Sequence, residues 1–344
     1  MRFDFDDEQA EIKETARQFL AARFTPAVVR ELAEGNRYDD ALWAEVSELG
    51  WPGIAIAEEH GGQGLGMVEL IVLCEELGYA CAPLPFLANA CAGLVLEGSG
   101  SDEQKQGWLA NIASGEGRGA FGDPDLLIDA EGAACAVVYG ADGNVRLVDL
   151  AEVEPEPVEL IDQTRRYAKP LGDDVGEALP GDFGAATDRI LVAVAAELVG
   201  IGQRAMDMAV GYAKEREQFG RPIGAYQGVS HACAKMLYDV EEARSLTYAA
   251  AWAADAEPES LPLAAAMAKA RASEAAWDVC KASIQVHGGI GFTWEHVLHR
   301  LYKRAQWLEH VGGSPAELRA LVAAAILDDV SDQKERDGLQ SIVA

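Results

Sequence analysis

Three long stretches of this 344-residue sequence repeat apolar residues at helical spacing, and no other feature constrains the fold as strongly. They lie near residues 188–217, 225–254 and 262–286. In the first stretch the apolar residues occupy two faces, with Leu191 and Val194 on one face and Val192 on another. A helix that is apolar on two faces is buried on more than one side, as in a bundle. The sequence therefore predicts a C-terminal four-helix bundle, with shorter helices near 294–311 and 315–330.

The first third of the chain also carries a helical pattern. An amphipathic run opens at Glu8 and Gln9, and a helix around Trp43 ends at Gly50. The glycine-rich stretch 61–66 follows another helix rather than a strand, which argues against a dinucleotide-binding loop. It is interpreted as a turn between helices.

Between residues 117 and 182 the pattern changes to short apolar runs among many proline, glycine and acidic residues. Runs at 133–139 and 145–150 are separated by the turn residues 141–144, which indicates a β-hairpin. The predicted fold is therefore mainly α with a small β domain. The predicted domains are residues 1–116 (helical), 117–184 (reduced β) and 185–344 (helical bundle).

Charge and composition exclude several classes of function. The net charge of -29 repels nucleic acid and anionic lipid, so neither is expected as a partner. The most apolar stretch is broken by Glu197, and the N-terminus has no basic-then-apolar segment, so a cytoplasmic protein without a membrane span is expected. The six cysteines form no ligand cluster and are predicted to be buried thiols, with no metal site.

Two motifs in the C-terminal half are specific. The first runs from Arg216 through Phe219 to Ile223 and is followed by Gln227; the second runs from Gln285 to Glu295. In both, order and spacing resemble those of the acyl-CoA dehydrogenase family. Weaker matches, including Glu75 to Gly78, extend the resemblance to the N-terminal half.

The resemblance implies a flavoprotein that oxidises an acyl-CoA thioester with FAD and passes the electrons to an electron-transfer flavoprotein. In the family, these two motifs contact the FAD bound by a neighbouring subunit. The implied cofactor-binding residues are Arg216, Phe219, Gln227, Gln285, Gly288 and Gly289. An arginine fork suits pyrophosphate oxygens, and glycines let backbone N–H groups approach a phosphate. His287 is expected to be a packed turn residue without a chemical role.

The sequence departs from the family at the catalytic base. Most members carry a glutamate in a C-terminal segment, and that position falls on Gly312 here. Some members place the carboxylate early in the first long helix of the bundle, where this chain offers Asp188. Asp188 is therefore the candidate base, and the alternative is that it caps the start of that helix.

The middle segment is about half the family's usual length, and after Gly119 it keeps little of the segment that holds the flavin ring. Few strands are expected to follow. These departures lead to the hypothesis that the chain is one subunit of an α2β2 complex with a homologous full-length acyl-CoA dehydrogenase, acting on a bulky acyl-CoA such as a steroid side chain. The alternatives are a non-catalytic scaffold subunit, a flavin oxidase or monooxygenase of the same fold, and a helical interaction protein without flavin.

Overall fold

A computed structural model of the chain describes residues 5–122, 126–140, 143–172 and 175–327. The N-terminal part of the described chain is built from six helices. They are α1 (Asp7–Arg23), α2 (Pro26–Glu34), α3 (Asp40–Glu48), α4 (Met67–Ala80), α5 (Phe86–Ser99) and α6 (Asp102–Ser114). The predicted turn at 61–66 lies directly before α4, as expected.

Capping side chains explain where several of these helices begin. Asp6 and Gln9 form a capping box at α1, and Ser101 and Gln104 form one at α6. Asp39 accepts hydrogen bonds from the first N–H groups of α3, and Gly50 follows that helix with a left-handed φ of 74°. Local sequence therefore fixes the ends of these helices before packing contributes.

A seven-stranded sheet follows, in the order β5-β6-β2-β1-β3-β4-β7. The strands are β1 (Gly119–Gly122), β2 (Leu127–Ile128), β3 (Cys135–Tyr139), β4 (Val145–Asp149), β5 (Pro157–Val158), β6 (Tyr167–Ala168) and β7 (Glu177–Ala178). β1 and β3 pair in parallel, and the other pairs are antiparallel.

The predicted hairpin is confirmed as β3 and β4, although two of its turn residues, 141 and 142, lie outside the described residues. The expectation that few strands follow Gly119 is wrong. Four of the seven strands are only two residues long, and they are held by pairing with a neighbouring strand. Such short segments carry almost no alternating pattern, so the sequence does not reveal them.

The C-terminal part of the described chain contains five helices and a small hairpin. The elements are α7 (Gly184–Glu215), β8 (Glu217–Gln218), β9 (Arg221–Pro222), α8 (Gln227–Ala256), α9 (Leu261–His287), α10 (Leu298–Leu308) and α11, residues 315–327. The three predicted long helices and the predicted bundle are confirmed. The end of the predicted last helix, 328–330, lies outside the described residues.

Glycines let α7 cross α4 at close range. A Cβ at Gly78 would overlap the carbonyl of Glu197, and a Cβ at Gly200 would overlap the carbonyl of Glu75. Backbones can approach this closely only where neither helix carries a side chain at the crossing. Among the described residues, no helix is both long enough and apolar enough to span a membrane.

A cluster of buried charges joins the sheet to the bundle. The Arg165 guanidinium lies 2.5 Å from a carboxylate oxygen of Glu197 on α7, and the fully buried Arg304 on α10 lies 3.2 Å from the other oxygen. Two buried aspartates complete the cluster. Asp129 lies 3.3 Å from Arg165, and Asp162 lies 3.6 Å from Arg304.

The same cluster reaches the N-terminal helices. Arg304 donates to the backbone oxygen of Ala82 at 3.0 Å, and the Tyr38 hydroxyl donates to Asp129. Burial raises the pKa of Tyr38, and the Asp129 carboxylate beside it raises that pKa further, so the hydroxyl stays protonated as a donor. All three parts of the described chain therefore contribute to this buried ionic cluster.

Replacing Glu197 with glutamine is expected to destabilise the chain by about 3–5 kcal/mol, because two buried guanidinium groups lose their shared counter-charge. The measurement is urea denaturation of wild type and variant. The matched control is Glu31→Gln, which removes an exposed partner of Arg37 and should change stability by less than about 1 kcal/mol. An equally small loss for Glu197→Gln would contradict the importance assigned to the cluster.

Candidate functional site

The two specific sequence motifs lie at one end of the bundle. α7 ends there, α8 begins there and α9 ends there, so Arg216–Gln227 and Gln285–Trp294 are neighbours; we call these two segments the bundle tip. Two contacts hold α7 against α9 near this end of the bundle. The Tyr212 ring on α7 stacks on His287 at 4.7 Å, and Ser283 on α9 donates to the Ala205 carbonyl at 2.7 Å.

The first segment of the bundle tip is a tight hairpin between α7 and α8. α7 ends at Glu215, and β8 and β9 pair around Phe219 and Gly220, whose φ angles are 53° and 79°. Two consecutive positive φ angles are typical of a type I′ turn. A phenylalanine with a positive φ is an unusual and strained choice. The residue is 94% exposed, and its ring meets the Tyr226 ring edge-on at 6.4 Å, so burial of this side chain adds almost nothing to the stability of the chain.

Polar groups beside this hairpin suit an anion. Arg216 is exposed and forms no ion pair with any described residue, its neighbour Glu215 included. Gln227 is the exposed first residue of the 30-residue helix α8, and Tyr226 at its N-cap supplies no side-chain cap. The first N–H groups of α8 therefore have no capping side chain. An exposed guanidinium and an uncapped helix N-terminus are each favourable for binding a phosphate group, and both lie in this one segment.

The second segment of the bundle tip leaves open space around its glycines. Gly288 ends α9 with a φ of 65°, and a Cβ built on Gly288 or Gly289 would meet no atom within 4 Å. Of the two glycines, only Gly288 has a positive φ. The φ of Gly289 is not positive, and a Cβ there would meet no described residue within 4 Å. The fold of this chain therefore does not require glycine at position 289. Gln285 is exposed in the last turn of α9.

Large apolar side chains surround these polar groups. Four of them are solvent-exposed, namely Phe219, Ile290, Phe292 and Trp294. His287 differs, since it is buried and its Nδ1 lies 2.8 Å from the Ser283 carbonyl. The histidine is therefore a packed residue, as expected, while the four apolar groups mark a surface that a second molecule could cover.

Asp188 lies far from the bundle tip. It occupies the second turn of α7, which begins at Gly184, so the helix-capping alternative is wrong. The carboxylate is half-buried, has no hydrogen-bond or ion-pair partner among the described residues, and burial raises its pKa. The 28 residues from Asp188 to Arg216 span about 42 Å at the rise of an α-helix. These two residues of one chain therefore belong to different sites.

Gly312 lies against the same part of α7. Its φ is 71°, and a Cβ there would overlap the side chain of Leu191, one turn beyond Asp188. A side chain at this position would have to displace Leu191. The loop that carries Gly312 and the turn that carries Asp188 are thus adjacent, although sequence alone leaves them more than 120 residues apart.

Comparison with known sequences identifies two matching families. Residues 6–116 match the family described as "Acyl-CoA dehydrogenase, N-terminal domain", and residues 187–327 match "Acyl-CoA dehydrogenase, C-terminal domain". The chain is 34% identical to the acyl-CoA dehydrogenase IpdE2 of Mycobacterium tuberculosis, over 91% of this chain and 95% of that protein. It is also 34% identical to the acyl-CoA dehydrogenase FadE34 of that organism, over 92% of this chain but only 48% of that protein.

The fold is similar to solved structures as well. One titled "Tcur3481-Tcur3483 steroid ACAD G363A variant" has a TM-score of 0.85 and 27% identity, and covers 94% of this chain and 99% of that chain. The expected fold, mainly helical with a small sheet, is therefore confirmed.

Replacing Phe219 with glycine is expected to raise the stability of the chain by about 1 kcal/mol, because glycine adopts a positive φ without steric cost. The measurement is urea denaturation of the purified chain. Gly220→Ala is the matched control and should lower stability by a similar amount, since its φ is also positive and its surroundings are open. A loss of stability in Phe219→Gly would mean that the ring packs within its own chain.

Proposed function

The chain belongs to the acyl-CoA dehydrogenase family, and on this basis we propose that it is one subunit of an FAD-dependent enzyme that forms an α,β double bond in an acyl-CoA thioester. The observation that carries this proposal is the bundle tip, where phosphate-binding groups face outward, away from the chain's own core. A bulky acyl group such as a steroid side chain is suggested by the similar enzyme whose title names a steroid substrate class.

The bundle tip fits the diphosphate part of FAD. Arg216 offers a free fork for two phosphate oxygens, and the open backbone at Gly288 and Gly289 admits a ligand where any Cβ would otherwise stand. Gln227 and Gln285 add one exposed amide to each of the two segments. Bound FAD supplies a hydride acceptor, and this chain supplies groups that hold the cofactor in place.

The cofactor held at the bundle tip would be seated on another chain. The candidate base Asp188 lies about 42 Å along α7 from Arg216, which is longer than a dinucleotide reaches. The exposed Phe219, Phe292 and Trp294 give that other chain an apolar surface to cover. We propose a homologous full-length acyl-CoA dehydrogenase as this partner, in an α2β2 complex. The name of the similar steroid enzyme, Tcur3481-Tcur3483, likewise joins two components.

Asp188 is the proposed base for the proton on the α-carbon of the thioester. Its carboxylate has no partner among the described residues, so both oxygens are free to accept. Burial raises its pKa, which makes it a stronger base than an exposed aspartate. An electron-transfer flavoprotein is the proposed acceptor of the electrons.

A second candidate is a scaffold subunit without a catalytic base. Gly312 favours this candidate, because Leu191 fills the space that a side chain at the family's usual base position would need. The role of Asp188 decides between the two.

In the assembled complex, Asp188→Asn is expected to lower turnover by about 10²–10⁴-fold, because the amide cannot accept the α-proton. Flavin content should stay the same. Turnover is measured as acyl-CoA-dependent reduction of a dye. The control is Asp278→Asn, which removes an exposed carboxylate paired with Lys281 on α9 and should leave turnover unchanged. Unchanged turnover in Asp188→Asn would favour the scaffold subunit.

The chain purified alone is expected to be colourless or to hold far less than one FAD per chain, and co-expression with a homologous full-length subunit should restore flavin. The readouts are mass of the complex and flavin absorbance. In that complex, Arg216→Gln should weaken flavin retention about tenfold or more, whereas Lys214→Gln, which removes a nearby exposed charge, should not. One FAD per chain in the protein purified alone would overturn the two-chain proposal.

A further inference from the structure

A cleft that the proposed activity does not use lies between α1, α2, α4 and the start of α10. Its open volume is about 140 Å³. Arg204, the α7 residue that lines it, is 16 residues beyond Asp188 and 12 before Arg216, or about 24 Å and 18 Å along the helix. The cleft is therefore separate from both parts of the proposed flavin chemistry.

Most of the inner wall of the cleft is apolar. Its buried apolar side chains are Leu20, Phe24, Val29, Cys81, Val297 and Leu301. The one buried charged side chain in the lining is that of Glu76, whose carboxylate is paired with Arg17. An apolar cavity of about 150 Å³ is large enough to hold a benzene ring. This cleft is of that size, so its apolar part fits a single ring or a branched group of similar volume.

The rim of the cleft carries two arginines on either side of one tyrosine. The Arg17 guanidinium lies 3.9 Å from the centre of the Tyr79 ring, and the Arg204 guanidinium lies 5.1 Å from it. Arg17 is already neutralised by two contacts with Glu76. Stacking on the ring orients both guanidinium groups beside the opening of the cleft.

Arg204 is the guanidinium that remains available. Its one hydrogen bond is to the Tyr79 hydroxyl, at 3.4 Å, and it has no carboxylate partner among the described residues. Asp207, one turn further on, is occupied by hydrogen bonds from the Tyr79 hydroxyl and Gln203. A half-buried arginine without a counter-ion is notable in a chain with a net charge of -29.

We propose that this cleft binds a small monocarboxylate with an apolar body the size of one ring. The carboxylate pairs with the Arg204 fork, which is matched to two carboxylate oxygens, and the ring lies against Phe24 and Leu301. One free guanidinium neutralises one negative charge, which favours a monoanion over a phosphate ester. This proposal is independent of the flavin chemistry.

The test is calorimetric titration of the full chain with benzoate and, separately, with benzyl alcohol. Benzoate is expected to bind with saturation at one site per chain. Benzyl alcohol has the same ring without the charge and should bind at least tenfold more weakly. Arg204→Gln should weaken benzoate binding about tenfold or more and leave benzyl alcohol binding unchanged.

A second pair of variants tests the location. Ala21 is an exposed residue of α1 at the rim, so Ala21→Trp should block the cleft and abolish benzoate binding without disturbing the core. Ala22→Trp is the matched control, because Ala22 is also exposed but does not line the cleft. No benzoate binding at millimolar concentration, or binding that survives both Arg204→Gln and Ala21→Trp, would overturn the proposal.

Discussion

The ion pairs of Glu197 with Arg165 and Arg304 are the interaction on which the rest of the structure depends. A buried charge is tolerated only when its partners are in place, and these partners come from distant parts of the chain. Arg165 precedes a strand of the sheet, Arg304 lies on α10, and hydrogen bonds from the cluster reach Ala82 and Tyr38 in the N-terminal part. The small sheet, the N-terminal helices and the bundle therefore take up their positions together.

This cluster also fixes the orientation of α7. Glu197 lies near the middle of that helix, and its two arginines allow only one rotation of the helix about its axis. The glycine crossing with α4 at Gly78 and Gly200 sets the depth at which α7 packs. With rotation and depth both set, Leu191, one turn beyond Asp188, packs against Gly312 at one end of α7, and Arg216 is exposed at the other.

The sequence predicts the regular secondary structure of this fold but not the tertiary contacts between distant residues. Long helices and the β3–β4 hairpin have periods of their own, and the structure confirms them. The buried ionic cluster has no local pattern, and its one trace in the sequence is the charged Glu197 in an apolar run. The tip hairpin was missed because Phe219 breaks the usual residue preference of its turn. For the candidate site, the motifs predict the residues of the bundle tip, whereas only packing brings Gly312 beside α7. The roles of these residues stay predictions.

α7 is one continuous helix of 32 residues with no proline in its sequence. An α-helix advances 1.5 Å and turns 100° per residue. The number of residues in α7 therefore fixes both the distance and the relative direction of the Asp188 carboxylate near its start and the Arg216 guanidinium just past its end. An insertion or deletion of one residue between Asp188 and Arg216 would shift Arg216 by 1.5 Å along the helix axis. It would also rotate Arg216 about that axis by about a quarter-turn relative to Asp188. Substitutions along this helix are therefore far easier for such a protein to accept during evolution than insertions or deletions.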